Sequence, residues 1–376
     1  MSRFLIVTWD GAGNLLPTLA VADHLVREGH DVRLLGHASI ERRCGNHGWR
    51  LRGFIHTADV DSAAAVEDGG GMLRLARDLW CHPSVAEDVR DELAREPADV
   101  LVVDCMLLGA LTAGQAAGIP TVALFHGAFA LFRRGPLVDL LSQFLPQVGV
   151  PSVSSVHDAC ALSFVATPRE FEPPTRIPAN VLFAGPLLDG PPLLQARERR
   201  SSPVGRDPFV LVSLSTSDQG QMPILQRIAD ALSQLPIRAV VTTGPAIDPA
   251  WLSAGSNVSV TRFVPHRELL PRAALVITHA GLGTVMTALA HGVPILSVPF
   301  GRDQFFNASR VEAIDAGRTV PMESDADTFA RAIEGLLADR GVVDAARRFA
   351  TLIGGYRNGA DALAALARLA RVECRA

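Results

Sequence analysis

Short apolar runs alternate along the whole chain with longer segments in which apolar positions recur at helical spacing. In the N-terminal half these runs predict strands at Phe4–Trp9, Asp31–Leu35, Val100–Val103 and Thr121–Phe125. In the C-terminal half they predict strands at Phe209–Ser213, Ile237–Thr242, Val258–Thr261, Leu275–Thr278 and Ile295–Val298. Strands that are apolar throughout and joined by helices indicate parallel sheets covered on both faces. The pattern therefore predicts an α/β fold.

The intervening segments predict helices at Leu16–Glu28, Gly109–Ala117 and Val285–His291, and glycines mark their ends. Between the two halves, residues 185–208 are rich in proline and charge, which is typical of an interdomain linker. We therefore expect domains at 1–190 and 208–357, a linker at 191–207, and a C-terminal segment at 358–376 that contains the alanine- and leucine-rich helix Gly359–Val372.

Composition supports two cores and excludes several kinds of partner. The chain has 376 residues, of which 48% are hydrophobic, so two buried cores can form. Its net charge of −4, with no basic cluster, argues against a nucleic-acid partner. Five cysteines without a CxxC pair fit a reducing compartment. No uncharged apolar run reaches the ~20 residues of a membrane span, and the first run is too short for a signal peptide. We expect a cytoplasmic protein, with a homodimer left open.

A glycine-containing turn joins a predicted strand to a predicted helix in the C-terminal half. After Val276–Thr278 the chain reads His279-Ala280-Gly281-Leu282-Gly283-Thr284. Backbone N–H groups and the positive end of a helix dipole converge on an anion in this arrangement. His279 and Thr284 add side-chain donors, and Gly281 and Gly283 let the backbone come close.

A second polar pair follows the next predicted strand. Asp303 and Gln304 lie beyond Pro299, in a predicted loop at the carboxyl edge of the sheet. Open α/β sheets bind ligands at this edge. The two segments together predict a binding site for a phosphorylated ligand.

The stretch resembles the donor-binding signature of family-1 nucleotide-sugar glycosyltransferases of the GT-B fold. The matching residues, in order, are His279, Gly281, Thr284, Gly292-Val293-Pro294, Asp303-Gln304 and Asn307. Upstream, Phe263-Val264-Pro265-His266 stands in the place of the family's Trp-x-Pro-Gln. The order of several elements over about fifty residues makes the match much more specific than a lone glycine loop.

The resemblance implies a fold and an activity. It implies two Rossmann-like domains facing each other across a cleft, with acceptor bound by 1–190, donor bound by 208–357, and the last helix crossing back to the N-terminal domain. The implied reaction is inverting, metal-independent transfer of a sugar from a dTDP- or UDP-linked donor to a hydrophobic small molecule such as a natural-product aglycone. The sugar nucleotide is a co-substrate, and no further cofactor is expected.

The resemblance also implies roles for the donor-site residues. Phe263 would stack on the base, and the backbone of Val264 would pair with its edge. Hydroxyls of the sugar would be bound by Asp303 and Gln304. The diphosphate would be held by Thr216, His279, Gly281, Gly283 and Thr284.

One position departs from the family's pattern in the donor half. Three residues after Thr284 the family usually has a glutamate that binds the ribose hydroxyls, whereas this chain has Thr287. Threonine lacks the paired acceptor oxygens that grip a vicinal diol. A 2′-deoxyribose donor loses least from this change, which favours dTDP-sugars.

The position at which the family has its catalytic base also departs from the family's pattern. Counting back from Pro17 puts Asn14 where the family's histidine stands, and asparagine is not a general base. Asp104, after the strand Val100–Val103, is the candidate for the carboxylate that orients the base. Three residues remain candidates for the base itself: Asp10, Asp104 and His126.

Two other functions stay open at this point. A nucleotide-sugar epimerase could use the same fold, and a non-catalytic partner protein that binds sugar nucleotides would explain the missing histidine. No cluster of histidine, cysteine and acidic residues in the sequence predicts a metal site, and a helix dipole can stabilise a leaving diphosphate instead.

Overall fold

The computed structural model of the chain describes residues 1–11, 13–43, 47–59, 70–188, 207–214 and 220–372. The chain divides into two compact units, Met1–Asp189 with Tyr356–Ala376, and Gly190–Gly355. Apart from Asp207, the predicted linker 191–207 lies outside the described residues. Within the described ranges, no helix combines the length and the apolar composition that crossing a bilayer requires.

The first unit contains a seven-stranded parallel sheet in the order β3-β2-β1-β4-β5-β6-β7. Its strands are β1 Arg3–Val7, β2 Asp31–Gly36, β3 Arg50–Gly53, β4 Val100–Asp104, β5 Thr121–Phe125, β6 Leu162–Val165 and β7 Val181–Phe183. Its α-helices are Leu15–Arg27, Ser39–Arg43, Gly71–Leu75, Pro83–Arg95, Leu108–Ala116, Pro136–Ser142, Val153–Asp158 and Ala360–Val372.

Alternate side chains of β1 enter two different cores, one on each face of this sheet. Leu5 and Val7 pack into a cluster with the segments between Leu75 and Val165. Phe4 and Ile6 point to the opposite face, where they join apolar side chains of Leu15–Arg27 and Ala360–Val372. Successive strand residues face opposite sides of a sheet, so an all-apolar strand needs cover on both.

The second unit contains a six-stranded parallel sheet in the order β10-β9-β8-β11-β12-β13. Its strands are β8 Phe209–Ser213, β9 Arg238–Thr242, β10 Val258–Thr261, β11 Leu275–Thr278, β12 Ile295–Ser297 and β13 Gly317–Thr319. Its α-helices are Met222–Ser233, His266–Leu269, Leu282–Ala290, Gln304–Ala313, Ala326–Ala338 and Arg340–Gly355. Val210, Ile277 and Leu296 lie in its main apolar cluster.

The predicted α/β class with two parallel sheets is confirmed. Some predicted bounds are wrong: the strand Phe4–Trp9 ends at Val7, and the helix Val285–His291 begins at Leu282. Asp104 is the last residue of β4 rather than the residue after it. Gly292, with φ +66°, follows the helix as expected, since a left-handed residue commonly ends a helix.

Candidate active site

The strand order of the second unit brings the residues of its signature together. β11 lies between β8 and β12, so the residues that follow these strands meet at one carboxyl edge. His279 directly follows β11, and Asp303 precedes the helix after β12. This edge is a switch point, because the chain builds the sheet outwards in both directions from β8 and β11. Thr216, predicted to contact the phosphates, lies outside the described residues.

The turn after β11 has a conformation that depends on its small residues. The backbone of Ala280 has φ +65°, a left-handed conformation that residues other than glycine seldom adopt. A Cβ at Gly281 would lie 2.6 Å from Nε2 of His279, so a side chain there would displace the imidazole ring. The carbonyl of Ala280 accepts a hydrogen bond of 3.0 Å from the buried amide of Asn307. The imidazole is therefore held against the backbone of the turn.

The helix Leu282–Ala290 begins without a side-chain cap. Gly281 occupies the N-cap position, no side chain accepts a hydrogen bond there, and the first turn carries no acidic residue. The first N–H groups of a helix have no partner inside the helix and carry the positive end of its dipole. This helix start can therefore bind an anion through backbone donors, with Thr284 in its first turn. At Gly283 a Cβ would meet nothing within 4 Å, so the space beside it is open.

His279 is neutral at physiological pH. Burial, together with the nearby positive charge of Arg302, lowers the pKa of His279 to about 4. A neutral ring donates from one nitrogen and accepts at the other. Phe300 stacks on the ring, with centroids 6.0 Å apart. Arg302 itself has φ +54°, and burial lowers the pKa of its guanidinium. The sequence reading missed Arg302, which places a cation beside the same turn.

The structure places Asp303 and Gln304 at a helix start rather than in a loop. Gln304 is the first residue of Gln304–Ala313 and is buried. Its Oε1 accepts hydrogen bonds from the backbone N–H groups of Phe300 and Gly301, at 2.7 and 3.1 Å. Oδ2 of Asp303 accepts one from Asn307 at 2.8 Å. Both side chains therefore hold the shape of the loop, and the predicted loop position of Gln304 is wrong.

Phe263 lies just beyond β10 and is 71% exposed. Its side chain is therefore not a core residue, which leaves the ring open for stacking. Val264, next to it, is half-buried.

The first unit gathers a second group of polar side chains at its own carboxyl edge. β1, β4 and β5 are neighbours in the sheet. Asn14 follows β1, Asp104 ends β4, and His126 follows β5. The strand order thus brings together three residues that are far apart in the sequence.

Asp104 is the centre of this group. Its Oδ2 accepts a hydrogen bond of 2.8 Å from Nδ2 of Asn14 and lies 3.2 Å from Nδ1 of His126. Its Oδ1 accepts one of 2.9 Å from the backbone N–H of Met106. Burial by itself raises the pKa of Asp104, but the charge and contact of His126, followed by Met106 and Asn14, outweigh it, so the pKa is lowered. Asp104 is therefore ionised at neutral pH.

Comparison with known proteins shows that the chain is similar to glycosyltransferases of natural-product biosynthesis. Residues 226–353 match the family described as erythromycin biosynthesis protein CIII-like, C-terminal domain. The 4'-demethylrebeccamycin synthase of Lentzea aerocolonigenes is 27% identical over 84% of this chain and 87% of that protein. The chain is a natural-product-type glycosyltransferase of the GT-B fold.

Solved structures of other glycosyltransferases share the fold of this chain over nearly its whole length. The glycosyltransferase of kitacinnamycin superposes with a TM-score of 0.80 at 22% identity, over 98% of this chain and 99% of that one. The glycosyltransferase VinC in complex with dTDP gives a TM-score of 0.75 at 20% identity, over 98% and 99%. The UDP-glucuronosyltransferase 3A2 of Mus musculus is 33% identical. That match covers only 43% of this chain and 32% of the Mus musculus protein.

Asp10, the first candidate for the base, faces a different set of partners in the glycosyltransferase. Its Oδ2 accepts a hydrogen bond of 2.7 Å from Oγ of Ser39, and its backbone N–H donates to Nδ1 of His37 at 3.3 Å. Both partners follow β2, on the side of β1 away from β4. The structure thus groups Asp10 with His37 and Ser39, and groups Asn14, Asp104 and His126 separately.

Glu172 supports the turn that follows His126, and the sequence reading missed it. Its two carboxylate oxygens accept hydrogen bonds from the backbone N–H groups of Phe129 and Ala130, at 2.6 and 3.0 Å. The side chain is buried. No sequence signal marks it, because Glu172 lies more than forty residues away in a segment without a motif. Its role follows only from the fold.

Cys105 lies beside the Asp104–His126 pair of the glycosyltransferase, and atoms of all three side chains lie within 4.8 Å of one another. A metal would need the thiolate form of the cysteine. Burial, and then the negative charge of Asp104, raise the pKa of the Cys105 thiol well above its ordinary value. The thiol is therefore neutral beside the carboxylate and the imidazole.

Proposed function

We propose that this glycosyltransferase moves a hexose from a nucleoside diphosphate sugar to a hydrophobic small-molecule acceptor, with inversion at the anomeric carbon and without a metal. The observation that carries the donor half is the uncapped start of Leu282–Ala290, beside neutral His279. An anion is stabilised there by backbone N–H groups and the helix dipole. The same groups would stabilise the diphosphate as it leaves.

The donor nucleotide is proposed to be dTDP-linked. The hydroxyl of Thr287 donates a hydrogen bond of 2.7 Å to the carbonyl of Gly283, one turn earlier in its own helix. This side chain therefore offers a ribose no carboxylate and has already used its only donor. The dTDP bound by VinC, which shares the fold, fits the same choice.

The acceptor is proposed to be apolar and of the size of a natural-product aglycone. Leu16 is 69% exposed, only two residues after Asn14, at the edge where Asp104 and His126 lie. An apolar side chain beside polar groups can contact a hydrophobic ligand. The synthase of Lentzea aerocolonigenes carries the name of such a product, 4'-demethylrebeccamycin.

A donor panel tests the proposal. The protein is incubated with dTDP- and UDP-hexoses, with and without a panel of polycyclic aglycones, and products are identified by mass spectrometry. Transfer should yield a glycoside and free nucleoside diphosphate, should continue in EDTA, and should invert the anomeric configuration seen by NMR. An epimeric donor formed without acceptor would indicate the epimerase, and nucleotide binding without any turnover would indicate the non-catalytic protein.

A further inference from the structure

Three residues from adjacent strands form a continuous polar chain at the carboxyl edge of the first unit. We propose that His126 is the catalytic base, that Asp104 orients it, and that Asn14 is a positioning residue that fixes Asp104. The proposal rests on the glycosyl transfer proposed above. It assigns the base to the residue that follows β5, although the family resemblance would put a histidine after β1, where Asn14 stands.

Asp104 suits the orienting role and not the role of base. Its carboxylate is buried and already contacts Asn14, Met106 and His126. A carboxylate stabilised in this way binds a proton weakly, in accord with its lowered pKa. Buried charges need such partners, and Asn14 supplies a neutral one that leaves the histidine as the only titratable partner among these three contacts.

Asn14 is itself held in place from three sides. Its Oδ1 accepts a hydrogen bond of 3.1 Å from the backbone N–H of Gly11. Its Nδ2 donates to the carbonyl of Trp9 at 3.0 Å as well as to Asp104. The amide orientation is therefore fixed by the turn after β1. Asn14 cannot take a proton, but it can hold the Asp104 carboxylate in one position.

The ring of His126 is oriented for proton transfer. Nδ1 faces Asp104 and is inaccessible to solvent, although the side chain as a whole keeps 21% of its exposure. The accessible part of the ring therefore lies away from Nδ1. Phe132 packs edge-on against the ring, with centroids 6.1 Å apart, and Glu172 holds the turn that carries Phe132. Nε2 lies on the side of the ring away from Asp104, and it is the nitrogen that we assign to proton transfer.

Asp104 places a negative charge in direct contact with this ring. Among the described neighbours, the Cys105 thiol is neutral because burial raises its pKa, and His157 is neutral because burial lowers its pKa to about 4. Glu172 contacts the backbone of the following turn, and Arg133 lies over the ring of Phe129. The carboxylate of Asp104 favours the Nδ1–H tautomer and stabilises the cation formed when Nε2 takes a proton.

The chemical step balances without a further reagent. The acceptor hydroxyl oxygen forms a bond to the anomeric carbon as the bond from that carbon to the diphosphate oxygen breaks. The bonding electrons leave with the nucleoside diphosphate. The hydroxyl proton passes to Nε2 of His126, giving an imidazolium beside the Asp104 carboxylate. An acceptor hydroxyl must therefore reach the end of β5.

Kinetics of single variants test this assignment. His126→Ala should lower kcat by about 10²–10⁴ and leave the affinity for nucleoside diphosphate unchanged, because general base catalysis carries about that weight. The acid limb of the pH–rate profile should vanish in the same variant. His56→Ala, an exposed histidine of the same unit paired with Asp91, serves as the control and should keep the rate of the wild type. A near-normal kcat in His126→Ala overturns the proposal.

A swap of the histidine position gives a sharper result. Nδ2 of Asn14 already lies 2.8 Å from Asp104, so a histidine at this position can reach the same carboxylate. The double variant Asn14→His/His126→Ala should recover at least about tenfold of the kcat lost in His126→Ala. Asn14→Ala alone should lower kcat and shift the acid limb, and Asn14→Asp should not restore either. If His126→Ala keeps its kcat and the double variant only raises kcat further, the assignment is contradicted.

Histidine NMR separates failure of this inference from failure of the proposed function. In the wild-type protein the His126 ring should carry its proton on Nδ1, and Asp104→Asn should lower the pKa of His126, because the variant removes the negative charge in contact with the ring. These signals need no acceptor or donor. If no donor is turned over but the tautomer and the pKa shift are seen, the transfer proposal fails while the pair stands. An Nε2–H tautomer, or a pKa unaffected by Asp104→Asn, overturns the pair.

Discussion

The side-chain amide of Asn307 donates a hydrogen bond of 3.0 Å to the carbonyl of Ala280, twenty-seven residues earlier in the chain. The same amide donates to Oδ2 of Asp303 at 2.8 Å. Asn307 therefore ties the turn after β11 to the turn after β12. Because Ala280 has a left-handed backbone, this tie helps to keep a conformation that the residue alone disfavours.

Removing the two hydrogen bonds donated by Asn307 should loosen the turn after β11, where the sugar donor is proposed to bind. We expect Asn307→Ala to lower the free energy of unfolding by about 1–3 kcal/mol, since a buried carbonyl loses its hydrogen bond, and to weaken nucleoside diphosphate binding. Urea unfolding and calorimetry measure the two effects. Ser309→Ala, which alters an exposed hydroxyl of the same helix, should change neither. Unchanged nucleotide affinity in Asn307→Ala would show that the turn keeps its shape without the tie.

Gly281 and His279 should behave as one unit in donor binding. A Cβ at Gly281 would lie 2.6 Å from Nε2 of His279 and would displace the ring. We expect Gly281→Ala to weaken dTDP binding by about as much as His279→Ala, roughly ten- to hundredfold, the weight of a hydrogen bond to a charged group at about 1.5–3 kcal/mol. Gly335→Ala, where a Cβ meets nothing within 4 Å, is the matched control for calorimetry. Tight binding in both site variants would remove His279 from the site.

Nucleotide preference should depend on Thr287. We expect the wild-type protein to bind dTDP at least as well as UDP, and Thr287→Glu to shift the preference towards UDP, because a carboxylate can accept from both ribose hydroxyls. Thr287→Ala removes the hydroxyl without adding an acceptor and should keep the wild-type preference. Competition calorimetry with the two nucleotides measures the ratio. A strong UDP preference in the wild type would contradict the role given to this position.

Glu172 should influence the rate through the turn that it holds. In Glu172→Ala the N–H groups of Phe129 and Ala130 lose a buried carboxylate. We expect the free energy of unfolding to fall by about 1–3 kcal/mol, and kcat to fall at unchanged dTDP affinity. Glu87→Ala, at an exposed carboxylate of the same unit, is the control. A loss of dTDP affinity equal to the loss of kcat would point to general unfolding instead.

Acid should destabilise the protein through His157. Burial lowers its pKa to about 4, while an unfolded histidine titrates near 6.5. Between these values the unfolded state binds more protons, so stability falls as the pH drops. From pH 7 to pH 5 the expected loss from this residue is about 2 kcal/mol. His157→Gln keeps a donor for the carbonyl of Cys105 and should show a correspondingly smaller loss in urea unfolding at the two pH values. An equal loss in both proteins would contradict the buried neutral histidine.

The sequence predicts the central strands of both sheets and the edge strand β10, and it misses β3, β6, β7 and β13. Thr121–Phe125 and Leu275–Thr278 have the bounds predicted for them, because strands buried on both faces leave a continuous apolar run. β3, Arg50–Gly53, has no such run. It lies at the edge of its sheet, and Arg50 pairs with Asp31 and Glu96. An edge strand with a solvated face carries little apolar signal.

The members of the candidate site can be chosen from the sequence, but their grouping cannot. Asp10, Asp104 and His126 all follow or end apolar strands, so the sequence offers each of them as a base. Only the strand order puts Asp104 between Asn14 and His126, since it makes β4 the neighbour of both β1 and β5. The same holds for Gln304 in the other unit. The motif gives the position of this residue, but it does not predict that its side-chain oxygen accepts a hydrogen bond from the backbone of Phe300.

The last helix has a consequence for how the protein is made. Ala362, Leu366 and Ala370 complete the apolar cluster that contains Phe4 and Ile6. During translation Phe4 leaves the ribosome before Gly190–Gly355. The helix Ala360–Val372, which covers Phe4, leaves the ribosome only after that whole segment. The nascent first unit therefore carries an open apolar surface until the helix Ala360–Val372 has been made. Chaperone contact with the growing chain should concentrate on that surface, and emergence of the helix Ala360–Val372 from the ribosome should be the event that closes it.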